Sequence, residues 1–285
     1  MIQNPVYKPL KFFTAILIAV WIPGAIAAYC SYNPELESFV ALFIFIGLVS
    51  PAIIALIMIF TSENKEALKN DFKARFFRFR DLNILTILVL IFLMPLSIII
   101  SILLSVLMGY SIDQLQLSSE IAIVGGEFFL SLIILILAPT LEEIGWRGYG
   151  VDALRSRNNL FRTSLIFCIM WAAWHIPLFF IKGYYQNTLL SPNPYYAVNF
   201  FLSLIPLVFI MNWLYYKTNR SIIVIIVFHF IVNLSAVVLN VDNFTKCIQT
   251  FVLFIPAIII VWKEKDFFFK DKASFILEYI QSQKT

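Results

Sequence analysis

Charge is what this chain of 285 residues has least of: Asp, Glu, Lys and Arg together make up 13%, about half the share in an ordinary soluble domain. That scarcity excludes a soluble globular protein. The three cysteines, Cys30, Cys168 and Cys247, are too few and too scattered for a disulfide framework or a thiolate zinc site. Histidine is rarer still, with His175 and His229 alone. No HExxH stretch is present, which removes the usual one-helix zinc protease signature. The apolar runs also lack the alternation of membrane strands, so a β-barrel is disfavoured. No repeat, low-complexity stretch or linker divides the chain, and we read residues 1–285 as a single domain. The first apolar run has no polar cleavage region with small residues, so it is expected to stay as a helix rather than act as a removable signal.

What remains is apolar. Hydrophobic residues make up 61% and the mean hydropathy is +0.87. Runs of the length a bilayer-spanning helix needs recur at 12–29, 39–60, 84–108, about 123–144, 163–181, 197–216, 221–239 and 248–262. The fold class is therefore all-α: a polytopic membrane bundle of about eight helices. All 21 Lys and Arg residues except Lys182 and Lys246 fall in one alternate set of connecting segments. By the positive-inside rule, both termini are expected on the cytoplasmic side. The net charge of +4 thus orients the protein and does not imply nucleic acid as a partner. The most basic loop, NKEALKNDFKARFFRFR at 64–80, carries Phe72, Phe76, Phe77 and Phe79 among its charges. It reads either as an ordinary inside loop or as an interfacial helix on anionic lipid, and the tail DFFFKDKASFILEYI reads the same two ways.

Ionisable groups in a span cost about 2.5–3.5 kcal/mol each on insertion scales, which makes those present the functional candidates. Near the middle of the chain stands APTLEEIGWRGYG, residues 138–150. Glu143 and Arg147 in it are one helical turn apart with the acid first, the favourable order for an ion pair. Glu142 points about 100° away and is left free for chemistry. His175 lies in MWAAWHIPLF and His229 in VIIVFHFIVNL, with Asn233 one turn beyond His229. If the glutamate helix runs on to about Arg155, kinked at Pro139, then Glu142, His175, His229 and Asn233 converge near mid-membrane. A pocket there must contain water. Asn199 and Asn212 read as ordinary interhelical hydrogen-bonding residues. Glu127 reads as close enough to the surface to snorkel. Cys168 is about 10 Å along the helix from His175 and is no thiol partner for it.

These residues fall into three motifs. EEIGWR matches the EExxxR pattern of the CAAX-protease and bacteriocin-processing family of intramembrane proteases. WAAWH matches FxxxH with Trp171 in place of Phe, a change in a packing position, and HFIVN matches HxxxN. The motifs occur in the family's order and in separate spans, with a motif-bearing core at about 121–240. In its span count the chain resembles the type II CAAX prenyl endopeptidases. The resemblance implies a protease that removes the last three residues of prenylated proteins ending in Cys-a-a-X. It implies that Glu142 and His175 activate water and that His229 and Asn233 stabilise the oxyanion, with Glu143 and Arg147 in support.

That chemistry suits the residue types. Peptide hydrolysis needs water as nucleophile, a base for its proton and donors for the developing oxyanion. The expectation is a reaction without a cofactor, on a prenylated protein or peptide C-terminus arriving laterally from membrane lipid, in a site open to the cytoplasmic side. Three alternatives stay open at this stage. A zinc-dependent version of the same protease would use Glu142, His175 and His229 as ligands. A membrane transporter would use the same groups as a proton relay, and an immunity-type scaffold would not catalyse at all.

Overall fold

The computed structural model describes residues 5–76, 78, 82–118 and 126–270, with backbone alone at 126–130. Among these the chain is all-α, and its only strand-like feature is an isolated bridge between Leu117 and Leu239. In chain order the helices are α1 (Pro9–Ser31), α2 (Val40–Thr61), α3 (Lys65–Phe76), α4 (Ile84–Leu107), α5 (Gly126–Gly145) and α6 (Val151–Arg155). They continue with α7 (Leu160–His175), the short α8 (Tyr185–Thr188), α9 (Pro194–Lys217), α10 (Ile222–Val237), α11 (Asn243–Lys263) and α12 (Lys265–Phe269). Short 3₁₀ turns lead into α2 and extend α7 to Phe180.

A long helix lies at each of the eight expected positions. Six stretches among the described residues are long and apolar enough to cross a membrane. The other two helices, α5 and α10, are those that carry the Glu142–Glu143 pair and the His229–Asn233 pair. α10 is strongly apolar but only 16 residues long. The stretches containing α7 and α9 are more than half buried, at 56% and 61%, whereas α1, α2, α4 and α11 fall between 22% and 39%. So α7 and α9 form the centre, and the outer helices turn leucine and isoleucine towards the surroundings.

Local sequence explains where the central helices begin. Asn159 and Ser221 cap α7 and α10 by accepting from the backbone N–H of Arg162 and Val224. Asn193 caps α9, with Pro194 in the first turn, where its missing N–H costs nothing. At the crossing of α2 and α5, a Cβ on Gly145 would lie 2.3 Å from Pro51 Cβ and 2.5 Å from its carbonyl carbon. Only glycine lets those two backbones touch, and this contact fixes α5 within one turn of the acidic pair.

The helix bearing that pair does run on to Arg155, but not as a uniform α-helix. Trp146–Gly150 forms a π-helical turn between α5 and α6. Its Arg147 carbonyl accepts from Arg75 Nη1 at 2.7 Å and lies 3.0 Å from the Tyr215 hydroxyl oxygen, and the Gly148 carbonyl accepts from Arg75 Nη2 at 3.0 Å.

Arg75 belongs to a second buried cluster. Its Nη1 pairs with Asp152 at 2.8 Å and its Nη2 with Asp71 at 2.9 Å. Arg220 spans the same two acids, at 2.9 Å from Asp71 and 2.7 Å from Asp152. Tyr7 donates to Asp71, and Tyr215 and Tyr216 donate to Asp152. Burial alone would raise the Asp71 carboxyl, but the Arg220 and Arg75 guanidiniums outweigh it and hold the group well below the usual carboxylate range. Asn219 and Arg220 take φ values of 53° and 65° in the turn from α9 to α10. That left-handed backbone is unfavourable for arginine and is held by the contacts of its side chain with Asp71, Asp152 and Tyr7.

Part of the basic loop is built into the protein: residues 65–76 are helical, and Asp71 and Arg75 in that helix are buried. Phe72 and Phe76 pack on the core, while Phe77 and Phe79 lie outside the described residues, as do the Glu127 side chain and the tail from 271.

Candidate active site

Four of the sequence candidates, Glu142, His175, His229 and Asn233, line one cavity of about 640 Å³, walled by α1, α2, α4, α5 and α7–α11. Glu143 and Arg147 do not line it. They sit directly behind it, both with no exposed surface.

Glu143 accepts two bonds from Arg147 Nη1, at 3.0 and 2.8 Å, and a third from His229 Nδ1 at 2.8 Å. One carboxylate therefore joins the first motif to the third. Arg147 is steadied in turn by Asn212 Oδ1 at 3.2 Å and by the Phe167 ring, 5.0 Å from its guanidinium. The Asn212 amide donates to Ser164 Oγ at 3.0 Å. Asn212, read from sequence as an ordinary interhelical residue, is thus the anchor of the arginine.

Glu142 meets no arginine. Its Oε2 accepts from the indole N–H of Trp171 at 3.1 Å and of Trp146 at 3.4 Å. Sequence reasoning treated Trp171 as a packing replacement for phenylalanine and gave Trp146 no role. The structure corrects both, since an indole carries a donor that phenylalanine lacks. The signal was present in the chemistry of the side chain.

Hydrogen-bond partners assign the ring protons of the histidines. His175 Nδ1 lies 2.7 Å from the Trp171 carbonyl. A carbonyl can only accept, so Nδ1 bears the proton, and Nε2 of the neutral ring is an acceptor. His229 Nδ1 faces a carboxylate, which gives its Nδ1 the proton too. His229 can donate from Nε2 only as an imidazolium, with the Glu143 charge beside it. Aromatic edges fix both rings: Trp174 and Phe200 against His175, and Trp171 against His229. The Asn233 side chain makes no hydrogen bond among the described residues and is free to meet a ligand. No three His, Cys, Asp or Glu side chains among the described residues are grouped as a metal ion would need.

The profile of the type II CAAX prenyl endopeptidase Rce1-like family matches residues 124–235, the segment that carries all three motifs. The chain is also 40% identical over 270 residues to CAAX prenyl protease 2 of Methanococcus maripaludis, covering 95% of this chain and 99% of the relative. The chain belongs to the type II CAAX prenyl endopeptidase family. As a member of that family with six long apolar helices among its described residues, it is an integral membrane protease. The family match covers a large part of the cavity wall of this endopeptidase, with Glu142, His175, His229 and Asn233 all inside it.

Proposed function

We propose that this protease removes the C-terminal tripeptide of prenylated CAAX-type proteins, without a metal, by an attack of water that Glu142 activates. The observation that carries this reading is the single cavity lined by Glu142, His175, His229 and Asn233. The two indole N–H groups hold one oxygen of Glu142 in place. The other carboxylate oxygen is left to take a proton from water. His175, unprotonated at Nε2, orients the same water from the neighbouring helix. As the carbonyl becomes tetrahedral, Asn233 donates to its oxygen, and His229 donates when charged. Glu143 shares its charge between Arg147 and His229, fixing the histidine ring and balancing the imidazolium. The breaking C–N bond releases the tripeptide amine, protonated from Glu142, and leaves the new carboxylate on the prenylated cysteine.

The apolar part of the cavity wall, including Ile98, Ile134, Leu135 and Leu253, suits a substrate that arrives with its lipid from the bilayer. On the charge asymmetry of the connecting segments, both termini and the access side are cytoplasmic.

The test is release of a free tripeptide from a prenylated CAAX peptide by the purified, reconstituted protein, one per peptide cleaved. A transporter or a silent scaffold gives none. Elemental analysis of fully active, chelator-dialysed protein separates the two protease versions: the proposal expects far less than one zinc per chain. One retained equivalent that disappears in His175→Ala and His229→Ala would replace the metal-free path by the zinc one.

A further inference from the structure

The cavity extends beyond the four motif residues, and its far part has a composition of its own. Besides Glu142 and the two histidines, one ionisable cation borders it, Lys246. Asn243, Lys246, Thr250 and Leu253 recur at helical spacing and turn one face of α11 to the cavity. The Lys246 ammonium donates to the Tyr185 hydroxyl at 3.4 Å and lies 4.9 Å from the centre of that ring. It forms no ion pair among the described residues. Gln186, buried in the same wall, has an amide oxygen with no hydrogen-bond partner.

A half-buried lysine without a carboxylate, held on Tyr185, and a buried amide oxygen without a donor on the next residue of the same cavity wall form an incomplete arrangement. It calls for a ligand that brings an anion and an N–H together. A peptide C-terminus does: its α-carboxylate meets the ammonium, and a backbone N–H near it meets the glutamine oxygen. Placement agrees. On α10, which starts beside Arg220, His229 stands about 12 Å of helix rise short of the far end. α11 starts at that far end, and Lys246 is about 4.5 Å into it. Lys246 is therefore on the order of 5–10 Å farther along the cavity than His229, and a tripeptide in extended form covers about 10 Å. The chain end must also enter a cavity that already holds the Glu142 carboxylate, where a second unmatched negative charge would be repelled.

We infer that Lys246 is the receptor for the substrate's C-terminal α-carboxylate, measuring three residues from the scissile bond, with Gln186 accepting from the peptide backbone. This rests on the proposed endopeptidase reading and adds to it a specificity-determining residue.

The experiment compares a prenylated CAAX peptide as the free acid and as the C-terminal carboxamide. Wild type should cleave the acid with a kcat/KM roughly ten- to a hundredfold above that of the amide. K246M should bring that ratio close to one, mainly by raising KM for the acid, and K246R should keep most of it. The ratio does not depend on how much of a preparation is folded. Should K246M yield no active protein, the ratio in K246Q set against K246R decides. A wild-type ratio near one, or a ratio unchanged in K246M or K246Q, overturns the inference and leaves the endopeptidase standing. Cleavage of neither peptide by wild type is the separate result that removes the proposed function itself.

Discussion

Two buried groups of charge flank the π-helical turn, and they follow different rules. In the group after it, Asp71 and Asp152 are matched by Arg75 and Arg220, three tyrosines take up remaining acceptor positions, and no member borders the cavity. In the group before it, Glu143 is matched by Arg147 while Glu142 faces only indole N–H groups and the cavity. Both are inside the protein, and both would be expensive to break. Burial of a charge therefore does not by itself mark chemistry. A carboxylate on the cavity wall with no arginine partner is the better candidate for chemistry.

The contrast is breakable by substitution. Glu142→Gln, which keeps shape and most hydrogen bonding, is expected to lower kcat by about 10²–10⁴. Thermal stability should hold or rise, because an amide is cheaper to bury than a carboxylate. Near-normal turnover of the purified variant would remove the distinction between the groups.

In the matched group the effect should appear as stability instead. Arg220→Met leaves two acids with one arginine and is expected to cost about 3–5 kcal/mol, read as a lower melting temperature in detergent. Turnover per folded molecule should stay within about threefold of wild type, well short of the loss of a general base. A large fall in kcat with unchanged melting would show that the matched group takes part in the reaction.

Trp171→Phe sharpens the comparison at the smallest scale. It keeps the ring but removes one donor to Glu142, and a roughly three- to tenfold fall in kcat with little change in KM is expected. Equal kcat would reduce Trp171 to packing.

The two groups were unequally legible in the sequence. Glu142, Glu143, Arg147, His175 and His229 stood out because leucine-rich spans make every ionisable residue conspicuous. The i, i+4 spacing of Glu143 and Arg147 was enough to foresee their contact, which the structure places at 2.8 Å. Asp71, Arg75, Asp152 and Arg220 lie in or beside segments rich in basic residues, where charge is ordinary. Nothing in their local pattern says that three connecting segments fold back on one another, since that is decided by contacts 63–149 residues apart. The link from His229 to Glu143 was hidden for the same reason, being a contact between helices. The π turn was hidden because one residue too many in a turn leaves no mark on a stretch that is apolar on all sides.

That extra residue has a consequence for how the two groups depend on each other. A π turn rotates everything beyond it by roughly the 100° that one residue occupies in an α-helix. The same rod can therefore aim Glu142 at the cavity and, ten residues later, Asp152 at Arg75 and Arg220. Trimming one residue from 146–150 would give a more regular helix and a broken protein, with one of the two groups turned out of phase. The Arg75 guanidinium on the carbonyls of Arg147 and Gly148 acts as the pawl on this ratchet: it engages the backbone where the count changes, and keeps the site in step with the rest of the bundle.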